Sequence, residues 1–396
     1  MKNIFIILTA VLLNLTVYAQ SSEVINYFNE VQKNGQEPIA YVNKVLDKHD
    51  LIVFDDALHS AYEPFVFYNQ LINAQSTGPK INYIFLEAIS TTSQPLLDSF
   101  LASKTRDTTI LMKLFQDDYS GSGWRFQTYL DLFSTVWEHN LHSPDSLHIR
   151  LIGVNPPVYW EGIHTWKDYE LFQNSLKSRD YFMYLEILQN MKGFTKNKKA
   201  LFLTNTRHSY KNIKNAEGKI YWNTTTFFNY WNPGKAFSIR IHNVTLSIES
   251  AKVTGSERKS TDGLNELVYK WVRMENGIWD SAFAMNANRP VAIPLENTLF
   301  GRAPYVGNHM PNVAAGTTMY DAYDALIFLA PLTDLHFSAE LNYIYTTKFK
   351  PELKRRLKLL KTDFAGFLKN NSVSSFNEYY KKLSGYVPLS KNTFIN

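Results

Sequence analysis

A chain of 396 residues with 45% apolar and 15% aromatic content is long enough to bury a substantial core. It has no cysteine, which excludes disulfides, thiolate metal ligands and a thiol nucleophile. The net charge of +5 is mild, and the basic runs Lys196 to Lys199 and Lys354 to Lys361 are far apart and lack aromatic interleaving, so a nucleic-acid surface is not expected.

Residues 1–20 read as an export signal. Lys2 precedes a mostly apolar run from Ile4 to Val17, and Val17-Tyr18-Ala19 resembles a small-residue cleavage site. The run is short for a membrane span, and no second apolar span follows. The mature chain, residues 21–396, is expected to form one α/β hydrolase-like domain with helical insertions, exported to the periplasm or secreted.

Leu51-Ile-Val-Phe is a buried strand that stops on Asp55-Asp56, with His59 in the turn that follows. Ser60-Ala-Tyr-Glu63 has the spacing of a capping box, which predicts a helix from there to Ala74 with Pro64 in its first turn. Tyr83-Ile-Phe-Leu-Glu87 is a strand ending on a carboxylate, and Gln94 to Ser103 is helical. Phe126, Tyr129, Leu130, Phe133 and Trp137 follow helical spacing. Ile149 to Val154 is a strand ending at Asn155, Asp168 to Met191 a long helix, and Ala200 to Thr204 a strand leading into Asn205-Thr-Arg-His208. Ala236 to Ile241 ends at His242, Ala251 to Gly263 is a surface loop, Leu264 to Met274 an amphipathic helix, and Asp324 to Leu329 a last strand. Such alternation predicts an α/β fold with a largely parallel central sheet flanked by helices.

If those strands are parallel, their carboxyl ends share one edge. Asp56 with His59, Glu87, Asn155, Asn205 with His208, and His242 would then converge on one crevice. Trp124, Tyr159 and Trp160 could wall it, whereas His139, His142 and His148 fit no standard zinc spacing and read as surface. With no cysteine and no G-x-S-x-G elbow, an activated water is the natural nucleophile for a small-molecule substrate.

Asp56-x-x-His59 with Glu63, behind an apolar strand, resembles the Gly-Glu-x-x-His-Gly-x-x-Glu motif of the erythromycin-esterase family, which is related to the TIKI proteases and the ChaN-type haem-binding proteins. Ile84-Phe-Leu-Glu87, Arg179-Asp-Tyr-Phe-Met183, the strand before His208, and Tyr323-Asp324-Ala are similar to the later motifs, in the same order. The resemblance implies hydrolysis of an ester or related bond. In it His59 is the base, Asp56 and Glu87 orient it or the water, and His208 is the second imidazole. Glu63, Trp124, Asn155, Arg179, Asn205 and His242 would line the substrate site. The sequence departs from the pattern at Asp55-Asp56, at Ser60, at Tyr68 near the place of a helix arginine, and at Asn205 near the place of a histidine. An aspartate in place of glutamate shortens the reach by about 1–1.5 Å, a misplacement that can cost ~100-fold unless the backbone compensates. No cofactor is required by this chemistry. Two rival readings remain: Asp56, His59, Glu87 and His208 as ligands of Zn²⁺, Mn²⁺ or Co²⁺ in a TIKI-like peptidase, or a ChaN-like binder of non-covalent haem.

Overall fold

The computed structural model describes residues 21–389 apart from 77–80, 122, 197, 251–266, 307–312, 362–363, 371–373, 376–377 and 379–384. The export signal and the Ala251 to Gly263 loop therefore lie outside the described residues.

Strands β1 (Leu51–Asp55), β2 (Ile81–Ser90), β3 (Arg150–Asn155), β4 (Lys199–Thr204), β5 (Ala236–Ile241), β8 (Val291–Pro294) and β9 (Ala325–Phe328) form a seven-stranded sheet in the order β3-β2-β4-β1-β5-β9-β8. All neighbours are parallel except β8, which runs antiparallel to β9. β1 is the centre: Leu51 registers with Ala200 of β4 on one side and Ala236 of β5 on the other. It is buried along its whole length. That explains why its sequence is continuously apolar rather than alternating.

Helices cover both faces. Ile52 and Phe54 of β1 pack with Phe65, Tyr68, Tyr129 and Phe133, from helices Glu63–Asn73 and Gln127–His142. Leu51 and Val53 pack on the other face with Met183, Ile187 and Phe228, from helices Arg179–Asn190 and Thr224–Trp231. The chain leaving β1 crosses one face towards β2, and the chain leaving β4 crosses the other face towards β5. The gap between β1 and β4 is therefore the point where the winding direction reverses, the place where such sheets open a crevice at their carboxyl edge.

Four expected boundaries are corrected. β2 does not stop at Glu87; it continues to Ser90, with a register shift against β3 between Leu86 and Ser90. The long helix breaks into Trp166–Ser175 and Arg179–Asn190 around a 3₁₀ turn at Leu176–Ser178. The segment read as helix from Leu264 contains strand β7 (Leu267–Val272), antiparallel to β6 (Thr245–Ser250). The capping box does not form. The helix starts at Glu63 behind Tyr62, without a side-chain cap. The Glu63 carboxylate instead accepts from His336 N at 3.0 Å and faces His336 Nδ1 at 2.9 Å, on short strand β10 (His336–Phe337).

Candidate active site

At the end of β1 successive side chains point to opposite faces, because the strand alternates. Asp55 turns to the face of the Arg179–Asn190 helix and Asp56 to the face of the Glu63–Asn73 helix. Asp55 is buried and fully engaged, accepting from Arg240 Nη1 at 2.7 Å, Tyr323 Oη at 2.6 Å, Thr206 Oγ1 at 3.0 Å and Ala57 N at 2.9 Å. The last bond closes a tight turn in which Ala57 takes a left-handed φ of 61°. That turn swings His59 back so that its Nδ1 lies 3.2 Å from Asp56 Oδ2.

The other ring nitrogen, His59 Nε2, lies 3.2 Å from Glu87 Oε2. The irregular stretch of β2 carries Glu87, whose carboxylate is shared. Oε2 also accepts from Thr204 Oγ1 at 2.6 Å and from Asn205 N at 3.2 Å. Oε1 accepts from Arg179 Nη2 at 2.6 Å and faces His208 Nε2 at 3.2 Å. His208 sits on a single helical turn, Thr206–Ser209, begun by the Asn205 side chain, which accepts from Arg207 N at 3.2 Å. Its Nδ1 meets Asp180 Oδ1 at 2.7 Å, and Asp180 is fixed by Thr224 N at 2.8 Å and Thr224 Oγ1 at 2.9 Å. Arg179 Nε donates to Asn155 Oδ1 at 2.7 Å, and its guanidinium lies 4.7 Å over the Tyr119 ring.

Three acids, Asp56, Glu87 and Asp180, thus face three cations, His59, His208 and Arg179. Burial opposes ionisation of Glu87, but the imidazoles of His208 and His59 and the Arg179 guanidinium hold its carboxyl well below the usual range. Burial opposes the cationic form of His59 too, and Glu87 and Asp56 overcome it, raising the imidazole well above its ordinary value. His208 rises to about 8 against its own burial, through Asp180 and then Glu87. Asp56 is the exception: burial pushes it up to about 6, and His59 only partly offsets that. Asp56–His59–Glu87–His208–Asp180 is a continuous chain of contacts at 3.2, 3.2, 3.2 and 2.7 Å along which protons can be redistributed. The chain reaches solvent at both arms, since the His59 side chain is 13% exposed and that of Asp180 27%.

The donor set does not fit a metal as arranged. Each ring nitrogen of His59 and His208 faces a carboxylate oxygen, and among the described residues no three His, Asp or Glu side chains form a metal-binding group.

Asp56, His59, Glu87, Asn155, Arg179 and His208 therefore meet in one cluster, and the edge of Trp124 packs on His59 with ring centroids 5.0 Å apart. Asn205 contributes its backbone N–H to Glu87 rather than its side chain. Two expected lining residues are elsewhere. His242 is buried beside Asp280, with Nε2 3.0 Å from Oδ1, and packs against Trp279, Phe283 and Phe328. Glu63 is held by His336. Trp160 is buried with Val158 and Ile163, whereas the neighbouring Tyr159 is exposed. His139 and His148 contact nearby carbonyls, and His148 also lies 3.6 Å from the Asp145 carboxylate. Asp180, which entered only as a member of the Arg179-Asp-Tyr-Phe-Met183 motif, meets His208, and no motif marks Thr204 or Thr224. A cavity of about 500 Å³ lies at the opposite, amino edge of the sheet, lined by Lys48, Phe237, Pro294 and Asp324 among others, and none of the cluster lines it.

No family model and no curated protein matches this chain. Solved structures do. A succinoglycan biosynthesis protein aligns with 79% of this chain and 97% of its own at 10% identity, with a TM-score of 0.52. A protein from Bacillus cereus aligns with 77% and 97% at 10% identity, with a TM-score of 0.50. An erythromycin esterase in its open conformation aligns with 73% and 92% at 9% identity, with a TM-score of 0.43. The first two likenesses show a shared fold. The helix-flanked, largely parallel sheet expected from the sequence is the architecture found.

Proposed function

We propose that the protein is an exported hydrolase that cleaves an ester or related bond of a small molecule with a water activated at His59. The observation that carries this reading is the placement of His59 between Asp56 and Glu87, with His208 on the far side of the same Glu87 carboxylate. A water entering between His59 Nε2 and Glu87 Oε2 has a base on one side and an acceptor on the other. In the reactive form His59 keeps its Nδ1 proton on Asp56 and has an unprotonated Nε2. The water gives a proton to Nε2 as its oxygen bonds to the carbonyl carbon. The negative charge that builds on the carbonyl oxygen is offset by the nearby His208 imidazolium and Arg179. His59 then returns the proton to the leaving alcohol, leaving acid and alcohol as products.

The electrostatics fix the pH dependence. Because Glu87 and Asp56 favour the imidazolium of His59, the reactive form grows only above the ordinary histidine range, while His208 loses its own proton near 8 and leaves Arg179 alone to face the oxyanion, so turnover rises above neutrality and then levels off or falls. Export is supported by the apolar run between Lys2 and Val17-Tyr18-Ala19, and fractionation of cells expressing the full chain checks it.

The test is a panel of chromogenic esters. His59→Ala is expected to lower turnover by ~10²–10⁴-fold. Activity undiminished in that variant refutes the role of His59.

A further inference from the structure

Most charged atoms in the cluster have partners, but one carboxylate oxygen does not. Asp56 Oδ2 faces His59, whereas Asp56 Oδ1 is buried with no hydrogen-bond partner among the described residues. A bare buried carboxylate oxygen is costly and is normally matched by a donor. Three buried donors in and around the cluster are also unmatched: the Tyr68 hydroxyl, Trp124 Nε1 and Asn155 Nδ2. Asn155 ends β3, which β2 and β4 separate from β1, and its side chain is held by Arg179. Two other indoles are satisfied, whereas that of Trp279 is not. Trp137 Nε1 donates to Ser103 O at 2.8 Å and Trp160 Nε1 to Asp118 O at 2.7 Å.

Tyr68 is the better-placed donor. It lies on the Glu63–Asn73 helix, which follows the His59 turn and covers the face to which Asp56 points. Its ring is fixed by Phe54 and Phe65, with centroids 5.2 and 5.4 Å away. Burial first, and then the charge of Asp56, keep its hydroxyl protonated far above the ordinary phenol range, so it offers an O–H at any working pH. Trp124 is turned instead towards His59 and Tyr129.

We infer that Tyr68 is a positioning residue: its hydroxyl supplies, through one bound water, the hydrogen bond to Asp56 Oδ1 that holds the Asp56–His59 pair in its working arrangement. This rests on the hydrolytic reading for its purpose but not for its test. The groups that act on Asp56 are His59 and Asp55 from its own turn and Glu87 from β2. Tyr68 and Tyr129 face it from the two covering helices, each under the charge of Asp56. A tyrosine there gives a neutral donor where a cation would hold the carboxylate ionised at much lower pH. The active form of the pair is thereby tied to pH values above about 6.

The experiment follows the side-chain carboxyl resonance of Asp56 in the full-length chain, with ¹³C-labelled aspartate and assignment by its disappearance in Asp56→Asn. In Tyr68→Phe, which removes only an oxygen, the Asp56 midpoint is expected to rise by about one pH unit. In Trp124→Phe it is expected to stay. An unchanged midpoint in Tyr68→Phe, or a shift in Trp124→Phe alone, overturns the assignment. This readout needs no turnover and stands whatever the chain hydrolyses. Where an ester is turned over, kcat falls in Tyr68→Phe, because His59 is less firmly oriented. Asp56→Asn abolishes any further effect of Tyr68→Phe; an effect that persists there overturns the route through Asp56.

Discussion

Glu87 and Arg179, 92 positions apart in the chain, meet through Oε1 and Nη2 at 2.6 Å, where Glu87 is nearly without solvent contact. This contact does more than link β2 to the Arg179–Asn190 helix. Glu87 also touches both imidazoles, and with Arg179 present it remains an anion while they share its two oxygens. Arg179→Leu removes the compensating charge and strands the acid. It is expected to lower stability to denaturant by about 3–5 kcal/mol. Adding Glu87→Gln to that variant is expected to restore part of the loss, because the stranded charge is then gone. Urea unfolding of the three proteins checks both.

Asp55 and Asp56 are adjacent and chemically alike, yet they serve opposite faces of β1. Asp55→Asn leaves the Arg240 guanidinium buried without its counter-ion and is expected to cost about 3–5 kcal/mol of stability. Asp56→Asn keeps the fold, since burial already raises that carboxyl to about 6, but it removes the charge that orients His59. Its expected effect is a loss of turnover of ~10²–10⁴-fold with little change in melting temperature. Equal destabilisation by the two substitutions would show that the division of labour is wrong.

Much of this arrangement was legible because it depends on local rules. A continuous apolar run marks a strand buried on both faces, and polar residues at its end mark the rim, so Asp56, His59, Glu87 and His208 could be picked out without coordinates. What could not be read was direction. Asp55 and Asp56 differ only in strand phase, which depends on where β1 begins. His242 ends its strand as His208 follows its own, but the neighbouring helix Ile278–Met285 offers it Asp280 and a dry aromatic surround. Partners fixed by long-range packing carried no sequence signal. Thr224 meets Asp180 only because two helices lie side by side, and nothing in the Arg179-Asp180 spacing points to His208. The β7 segment was misread because an amphipathic pattern was given more weight than pairing with β6, which spacing does not reveal.

The His208 imidazole gives a stability signature that needs no substrate. Its pKa is raised from 6.5 to about 8, with burial opposing and Asp180 and Glu87 prevailing. A base held more tightly protonated in the folded state stabilises fully below its unfolded value. That stabilisation is lost as pH rises through the folded value. About 2 kcal/mol is therefore expected to disappear between pH ~6.5 and ~8 in the wild type. The same loss is expected to be absent from His208→Gln. The raised carboxyl of Asp56 acts in a lower window, between its ordinary 3.8 and about 6, whereas His59, also raised, loses stabilisation in an overlapping window in both proteins, so the difference between the two curves carries the His208 effect. Denaturant unfolding at several pH values, compared between the two proteins, measures it; parallel curves would mean that His208 is not held as the contacts indicate.

The start of the Glu63–Asn73 helix offers a contrast between sequence pattern and structure. Ser60 and Glu63 have capping-box spacing, but the Ser60 carbonyl accepts from Ser338 N at 2.6 Å and the Glu63 carboxylate holds His336 through both its backbone N–H and Nδ1. The two residues therefore tie the His59 turn to β10 rather than cap the helix. Ser60→Ala removes no side-chain bond the fold uses and is expected to change stability by less than about 0.5 kcal/mol. Glu63→Ala frees the His336 segment and is expected to cost about 1–2 kcal/mol, below the full value of a charged hydrogen bond because His336 is partly exposed. A larger cost for Ser60→Ala than for Glu63→Ala, measured by denaturant unfolding, would restore the cap and remove the tie to β10.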